Sequence, residues 1–568
     1  MKLQIAQISS LEKIRPGDAF PCDEIHKKSV LAGQRLSYQL CIKSDCRTTA
    51  VISVRSELAD CIKLYRVENA VMDMPSTHPD APVGSSGAAF EDYITMEPGP
   101  MPDILIPLSE QQNRLILLTS ASTVWVRADI PEDTRPGTYE IRISFCPEDN
   151  GASDNTAEVS LDSDRLPDNS AVLQLTVAPA VMPKQRLIYT RWFYADCIAT
   201  AHNVPIYSEE HWALIDKYIA AAADVGINMI LVPIHTPPLD TAVGTTRPCV
   251  QLVEIEKEGD TYKFSFQKFR RFIDICKNHG IQYFEMAHLF SQWGASCAPN
   301  IMVTENGKTD YLFGWHVAAD SEEYTAFLKQ YLAALSRELE LLKISENTYF
   351  HISDEPSLDA LDTYRKASEI LRPLIGRSKT LDALSNYDFY EKGLVECPVT
   401  CVSHIHDFLE HEIENQWTYY CCEPQTVFPN CLLAMPSYRN RILGFLLYKY
   451  KIKGFLHWGF NFYNTGLSLY PIQPYLTTSG DQAFPSGDPF IVYPSRDGAY
   501  SSIRGEVTYD AIQDMNICFA LESRIGRDAV VAMIDEAAGY DLRFDDYPKS
   551  KEFPEKLREQ MMETLLSI

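Results

Sequence analysis

The strongest constraint on the fold is a run of eight strand-like segments after Met182, most of them separated by amphipathic helical patterns. Such alternation is typical of βα units and predicts a parallel sheet. Eight alternations over roughly 280 residues match the strand number and length of a (β/α)8 TIM barrel. An open, doubly wound sheet is the weaker alternative, because no glycine-rich phosphate turn follows the first segment. The segments are RLIYTRWFY (186–194), INMILVPIH (227–235), IQYFEMAHLF (281–290), NTYFHIS (347–353), KTLDALSNY (379–387), VTCVSHIH (399–406), WTYYCCEP (417–424) and FLHWGFNFY (455–463).

The residues before the barrel follow a different pattern, with short alternating segments bounded by turn-forming residues. They predict an N-terminal β-sandwich domain over residues 1–182, with long polar loops over about 75–99 and 148–169. The fold class is therefore multidomain, β plus α/β. We expect the barrel over 186–470 and a C-terminal loop and helical extension packed on it over 471–568, with helical stretches at 501–525 and 527–568. The sandwich strands are predicted at 35–44, 49–58, 122–131, 137–146 and 171–180.

Composition excludes several function classes. The 568 residues are too many for one ordinary domain, and the net charge of -26 argues against binding to nucleic acid or to an anionic membrane. No segment approaches the ~18 apolar residues of a membrane span, and the N-terminal residues lack the apolar core of a signal peptide. The fifteen cysteines are scattered, so we expect reduced thiols in a cytoplasmic protein. The vicinal Cys421 and Cys422 are interpreted as strand packing rather than as a redox pair.

The barrel hypothesis also predicts where the active site lies, because catalytic groups project from the C-terminal ends of barrel strands. Carboxylates, imidazoles and aromatic rings occupy these positions. They suit a sugar substrate, since rings stack on pyranose faces and a carboxylic acid can protonate the glycosidic oxygen. The strand-end candidates are Arg191, Trp192, His235, Glu285, His288, His351, Asp354, Glu355, Tyr387, Asp388, His404, His406, Tyr419, Tyr420, Glu423, His457, Trp458 and Asn461.

The segment YFHISDEPSLDA (349–360) places two adjacent acids where the fourth strand should end. Glu355, among apolar neighbours and next to another acid, is expected to have a raised pKa and to stay protonated near neutrality, with Asp354 as the ionised partner. The alternative is a structural acid pair at a helix N-terminus, which the helix dipole favours. The position at a barrel strand end favours catalysis.

Other constellations carry less chemistry. His404 and His406 on one strand would point to the same face and could suit a metal, but no companion ligand follows at a fixed spacing. A serine nucleophile lacks its G-x-S-x-G turn. We therefore expect neither a metal nor a cofactor.

Several stretches together resemble the DUF4091 / glycoside hydrolase family 123 group, whose characterised members are β-N-acetylgalactosaminidases. The resemblance covers roughly Arg186 to Ile525, and the order of sandwich and barrel also fits. The stretches are FHISDEP (350–356), WTYYCCEPQTVFPN (417–430), RILGFLLYKYKIKGFLHWGFNFYN (441–464) and SSIRGEVTYDAIQDMNICFALE (501–522).

The resemblance implies a retaining, substrate-assisted mechanism, in which the substrate's 2-acetamido oxygen forms an oxazolinium intermediate. Glu355 would then protonate the leaving oxygen and activate water, while Asp354 orients the acetamide. The resemblance places Tyr419 or Tyr420 at the acetamide carbonyl and Trp458 and Asn461 in the sugar pocket. It gives Arg504 a structural role.

The remaining substrate-binding candidates come from the strand ends and are Tyr387, His235, His288 and His404. The leading hypothesis is an exo-acting β-N-acetylhexosaminidase that prefers terminal β-linked N-acetylgalactosamine on a glycan. A conventional two-carboxylate glycosidase, with a nucleophile such as Glu285, and a catalytically inactive carbohydrate-binding relative stay open. So does the oligomeric state.

Overall fold

The structure, a computed structural model, describes residues 2–78, 91–148, 169–411 and 413–567. The long loop expected over about 148–169 falls almost entirely outside these described residues, and the one expected over about 75–99 falls outside them at 79–90. The described part of the chain contains an N-terminal β-sandwich, a closed eight-stranded barrel and a helical C-terminal extension.

The sandwich consists of two mostly antiparallel sheets that enclose one apolar core. All five segments predicted from alternation are strands. In the strand at Gly137–Pro147, Ile141, Ile143 and Phe145 are buried at every second position, as expected for a sheet with one buried face. The strands are β1 (Leu3–Ser9), β2 (Lys27–Ala32), β3 (Arg35–Ser44), β4 (Thr48–Arg55), β5 (Ile62–Met72), β6 (Gly99–Pro107), β7 (Arg114–Leu117), β8 (Ser122–Asp129), β9 (Gly137–Pro147) and β10 (Ser170–Val181).

Eight parallel strands close the predicted barrel, and each overlaps one predicted segment. They are short, because the chain leaves each strand soon after the barrel layer and enters loops that build one end. The barrel strands are β11 (Ile188–Arg191), β12 (Met229–Val232), β15 (Tyr283–Met286), β18 (Thr348–Phe350), β19 (Lys379–Ala383), β20 (Cys397–Cys401), β21 (Trp417–Tyr419) and β22 (Gly454–His457). Between them, β13 (Glu254–Glu258), β14 (Thr261–Ser265), β16 (Ile301–Glu305) and β17 (Lys308–Phe313) form a separate four-stranded sheet that the sequence analysis missed.

Twelve helices lie within the described residues, and local capping explains the starts of the longest barrel helices. Ser208 accepts the His211 backbone N–H (3.2 Å), as predicted, and Ser321 does the same for Tyr324 (3.3 Å). None of these helices is long and apolar enough to cross a membrane. The helices are α1 (Ala195–His202), α2 (Glu209–Asp224), α3 (Gln267–Asn278), α4 (Glu322–Leu341), α5 (Leu361–Leu371), α6 (Asp388–Glu391), α7 (Ile405–Leu409), α8 (Tyr438–Arg441), α9 (Leu443–Lys449), α10 (Ile503–Ile525), α11 (Arg527–Ala538) and α12 (Glu552–Ser567).

The C-terminal extension connects the sandwich to the barrel. Its hairpin, β23 (Tyr493–Pro494) and β24 (Ala499–Ser502), adds to the seven-stranded sandwich sheet through β6. Helix α10 packs against α8 and α9 on the barrel side and against β3 and β6 on the sandwich side. Arg504 in α10 bonds the Asp103 carboxylate of β6 (2.8 Å), as its predicted structural role requires.

Two local predictions were wrong. The segment holding His404 and His406 is not strand at those residues, because β20 ends at Cys401 and α7 begins at Ile405. His404 is exposed, and the two rings therefore do not share a strand face. The last helical stretch is also interrupted, since residues 539–551 separate α11 from α12.

Candidate active site

The acid pair lies in a bent loop beyond β18, which ends at Phe350. The next helix, α5, begins only at Leu361, so the pair is not in the first turn of a helix. Neighbouring loops hold the segment: the Trp293 N–H donates to the Asp354 carbonyl oxygen (3.0 Å), and the Glu355 N–H donates to the Ala383 carbonyl oxygen (3.1 Å). The acids are thus attached to the loop after β15 and to the last residue of β19.

Glu355 has a backbone φ of 41°, in the left-handed region that non-glycine residues rarely adopt. Such a conformation costs of order 1–3 kcal/mol and is concentrated at functional sites. It interrupts the strand-like alternation that would otherwise send neighbouring side chains to opposite faces. As a result, both carboxylates line the same cavity.

That cavity has a volume of about 180 Å³ and lies at the C-terminal end of the barrel strands. Five of the strand-end candidates line it, namely Trp192, Asp354, Glu355, Tyr419 and Trp458. The Tyr419 hydroxyl donates to Oε1 of Glu355. The full lining is Trp192, Leu239, Asp240, Gln292, Trp293, Asp354, Glu355, Ala383, Tyr419, Cys421, Cys422, Leu456, Trp458 and Phe484.

The electrostatics of the pair differ from the expectation. Desolvation, followed by the neighbouring Glu355 carboxylate, raises the pKa of Asp354 well above its usual value. Asp382 and Asp240 act in the same direction, whereas the His351 cation opposes them. Asp354, expected to be the ionised partner, is therefore the acid whose charge its surroundings disfavour.

A buried ion cluster lies beneath the cavity and positions the acid loop. His351 contacts Oε2 of Glu285 through Nε2 (2.9 Å) and Oδ1 of Asp382 through Nδ1 (3.2 Å). Burial lowers the pKa of His351, but the hydrogen bonds it donates to both carboxylates outweigh burial and raise it to about 9. Asp382 also accepts the Ile352 N–H (3.0 Å), so the cluster holds the segment that leads to the acids.

Trp458 is held in the cavity wall by a second buried carboxylate. Its Nε1 donates to Oδ2 of Asp488 (2.9 Å). Burial raises the pKa of Asp488 to about 8, although Arg191 and Arg504 lower it. The Trp458 ring is thereby fixed as one apolar face of the cavity.

Comparison with known proteins identifies the family. The family model described as glycoside hydrolase 123, catalytic domain, matches residues 192–521, which is more than half of the chain. The chain belongs to glycoside hydrolase family 123. The sequence resemblance is thereby confirmed, and the protein is a glycoside hydrolase whose substrate class is a glycan.

A solved structure of the same family agrees with this fold. A family 123 glycoside hydrolase from Clostridium perfringens, analysed for glycolipid glycan hydrolysis, is 15% identical, with a TM-score of 0.70 over 100% of this chain and 98% of that one. At this identity the likeness shows the fold alone. A family 5 mannosidase from Rhizomucor miehei is 14% identical over 61% of this chain and 94% of its own chain. Its TM-score of 0.30 is too low to show a shared fold. No curated protein matches this chain.

Six predicted substrate-binding residues of this family 123 chain lie outside the cavity lining. The Tyr420 hydroxyl contacts Asn440 (3.1 Å), and the Asn461 amide clamps the Tyr194 backbone (2.9 and 3.0 Å). Tyr387 stacks on His411 with ring centroids 4.0 Å apart, and exposed His404 contacts the Ser403 hydroxyl (3.0 Å). The other two are His235 and His288, both buried beneath the loops.

His288 belongs to the only group of three potential metal ligands found within the described residues, together with His351 and Asp382. Its ring stacks on that of His351, with centroids 4.1 Å apart and an angle of 14° between the planes. Imidazole lone pairs lie in the ring plane, so two parallel stacked rings do not converge on one ion. Both nitrogens of His351 already contact carboxylates. This group fits an ion-pair cluster better than a metal centre.

Several lining residues escaped the sequence analysis because they come from loops of no regular pattern. Asp240 follows β12, Trp293 follows β15, and Phe484 reaches the cavity from the C-terminal extension. Burial raises the pKa of Asp240 to about 6. For Trp293, a lone tryptophan in a polar loop after a strand could have indicated a role in the site. No sequence pattern indicated that Phe484 lines the cavity.

Proposed function

We propose that this family 123 enzyme is an exo-acting, retaining β-N-acetylhexosaminidase that prefers terminal β-linked N-acetylgalactosamine and works by substrate assistance. The carrying observation is that two adjacent acids, Asp354 and Glu355, line one small cavity at the barrel mouth. A volume of about 180 Å³ is below the ~300–1,000 Å³ usual for ligand clefts, and it suits one terminal sugar better than a chain.

In the proposed mechanism, Glu355 protonates the glycosidic oxygen while the 2-acetamido oxygen attacks the anomeric carbon of the same sugar. Asp354 accepts the acetamide N–H and stabilises the positive charge that develops on the nitrogen. Glu355 then takes a proton from the water that opens the oxazolinium ring. Tyr419, which donates to Glu355, orients this carboxyl group.

Asp354 has the right electrostatics for this role. The raised pKa of Asp354 means that the surrounding protein groups do not stabilise its carboxylate. A bound acetamide whose nitrogen becomes positive supplies the missing counter-charge, and this stabilisation is larger in the transition state than in the ground state.

A conventional nucleophile has less support among the described residues. Glu285 is fully buried and bonded to His351 and to Nε1 of Trp192 (3.1 Å), outside the cavity lining. The remaining carboxylate of the lining, Asp240, already accepts the Leu467 N–H (3.0 Å).

The decisive experiment is a panel of nitrophenyl glycosides of N-acetylgalactosamine, N-acetylglucosamine and galactose. We expect turnover of the N-acetylated sugars and essentially none of galactose, because galactose lacks the internal nucleophile. An N-acetylhexosamine thiazoline, which mimics the cyclised intermediate, should inhibit competitively. Equal rates on galactose, or indifference to the thiazoline, would contradict substrate assistance.

Variants assign the roles of the two acids. Glu355→Gln should lower kcat by about 10²–10⁴-fold on substrates with poor leaving groups, and less on nitrophenyl glycosides. Asp354→Asn should lower kcat/KM by about 10²–10³-fold on both. Glu423→Gln is the matched control, since this mouth carboxylate contacts His78 (2.6 Å) instead of lining the cavity. Near-wild-type rates in either acid variant would contradict the catalytic role proposed for that acid.

A further inference from the structure

The vicinal thiols Cys421 and Cys422 have no part in the proposed mechanism, yet both line the sugar cavity. They follow β21, which ends at Tyr419, so they are not the strand packing expected from the sequence. Their Sγ atoms lie 3.8 Å apart, and both are free thiols. Two free thiols thus lie side by side in the cavity wall.

The backbone holds the pair in place. The Cys421 N–H donates to the Glu423 carbonyl oxygen (2.9 Å), and Nδ2 of Asn430 donates to the Cys421 carbonyl oxygen (2.8 Å). The Cys421 thiol itself has only long contacts, to the Glu423 carbonyl oxygen (3.6 Å) and to Sγ of Cys422 (3.8 Å). Binding a ligand to the sulfurs would therefore break little existing structure.

The spacing of the two sulfurs matches a tetrahedral ion. Zinc–thiolate bonds of about 2.3 Å at the tetrahedral angle place two sulfurs roughly 3.8 Å apart. The observed 3.8 Å requires no movement of either sulfur. A two-coordinate linear ion with similar bonds would need roughly 4.6 Å.

The cavity lining is also acidic, and a bound cation would favour the charged form of its carboxyl groups. Asp240, Asp354 and Glu355 line it together with the thiols, and no lysine or arginine is found among its described lining residues. Clefts lined by one sign of charge concentrate ions of the opposite sign. Soft thiolates then select thiophilic ions over Mg²⁺ or Ca²⁺.

We propose that Cys421 and Cys422 form a binding site for a thiophilic divalent cation of the Zn²⁺ type, and that its occupancy blocks the sugar cavity. Two S–metal bonds form, the two thiol protons leave to solvent, and no electron transfer occurs. Water completes the coordination from the cavity side. Metal binding is independent of the proposed glycosidase function, whereas the inhibitory effect rests on it.

Direct binding tests the site without substrate. Co²⁺ titrated into the full-length, reduced protein should produce a thiolate-to-metal charge-transfer absorption that saturates at one equivalent and disappears when Zn²⁺ is added. Cys421→Ser and Cys422→Ser should each abolish this absorption. Cys249→Ser is the matched control, being half-buried like the pair but outside the cavity lining, and should retain it. Thermal melts establish that each variant is folded.

Absence of the charge-transfer absorption in the wild-type protein, or its persistence in both serine variants, would overturn the site. In the active enzyme, Zn²⁺ should raise the apparent KM reversibly, with recovery on adding a chelator. Each serine variant, compared with its own metal-free rate, should resist Zn²⁺. Equal inhibition of wild type and both variants would overturn the blocking role while leaving the glycosidase activity itself established.

Discussion

At the scale of single residues, the consecutive acids Asp354 and Glu355 line one cavity but have different surroundings. Asp354 is half-buried and Glu355 is exposed, although they are consecutive. Burial and the neighbouring Glu355 carboxylate disfavour the charge on Asp354. The protein by itself therefore does not stabilise the carboxylate that the proposed mechanism needs at this residue.

Replacing Asp354 by Asn should therefore stabilise the free protein while impairing catalysis. A carboxyl whose folded pKa is raised stabilises the fold less as the pH rises above its unfolded value of about 3.9. The gain in melting temperature of Asp354→Asn over wild type should be small near that pH and grow with increasing pH. A gain that is constant or shrinks with pH would contradict the raised pKa.

Tyr419 and Tyr420 form a matched pair for testing the cavity wall. Tyr419→Phe removes the hydroxyl that donates to Glu355 and should lower kcat/KM by up to roughly 10-fold, the size expected for the loss of one hydrogen bond. Tyr420→Phe removes a contact to Asn440 outside the cavity. It should cost about 1 kcal/mol of stability and leave kcat/KM unchanged. The reverse pattern would place the catalytic tyrosine at Tyr420.

At the scale of elements, the loop after β18 is held by the strands beside it. The cluster of Glu285, His351 and Asp382 joins the ends of β15, β18 and β19 in the barrel interior. Ser353 adds a further tie, since its hydroxyl donates to the Ser291 carbonyl oxygen (3.0 Å). Because these groups are fully buried, the charge of His351 directly affects folding stability.

The pH dependence of stability should report this charge. A histidine whose pKa is raised to about 9 contributes stability that is complete below about 6.5 and is lost as the pH rises through 9. The free energy of unfolding should therefore fall by about 3 kcal/mol between pH 6.5 and pH values above 9. Urea unfolding at a series of pH values measures this change. His351→Gln should lose that slope. In His235→Gln the slope should persist, because burial lowers the pKa of His235 to about 4 and keeps it neutral there.

At the scale of the whole molecule, the C-terminal extension makes the sandwich and the barrel interdependent. Arg35 of β3 and Arg127 of β8 both contact Asp224 at the end of α2 (3.1 and 2.5 Å) and Glu506 in α10 (3.2 and 3.4 Å). This network therefore bridges the sandwich, a barrel helix and the extension. Glu506 is fully buried, so its charge depends on both arginines.

Glu506→Gln should destabilise the whole protein by about 3–5 kcal/mol, because it leaves two buried arginines short of a counter-charge. When the variant is unfolded with urea, its tryptophan fluorescence and its enzyme activity should change in the same single transition. Glu522→Gln in the same helix is the control: its half-exposed carboxylate contacts Arg527 (3.4 Å), and the change should cost less than about 1 kcal/mol. Two separated transitions in Glu506→Gln would show that the sandwich and barrel fold independently.

Local periodicity was sufficient to predict much of the fold. Alternating burial identifies strands such as β9, and amphipathic patterns with serine caps identify α2 and α4. In the four-stranded sheet of β13, β14, β16 and β17, the hairpin of β13 and β14 is largely exposed, and exposed strands lack a clear apolar alternation, so this sheet was missed. The break between α11 and α12 was also missed.

The sequence by itself determined the barrel, the family and the position of the acid pair at the end of the fourth strand, because these depend on short-range patterns and on a motif of consecutive residues. Only the tertiary structure decided which strand-end side chains meet. Tyr419 enters the cavity and Tyr420 does not, Asp240 and Phe484 arrive from distant loops, and Asp354 takes the raised pKa. Burial and electrostatic neighbours arise from long-range packing, which local periodicity does not encode.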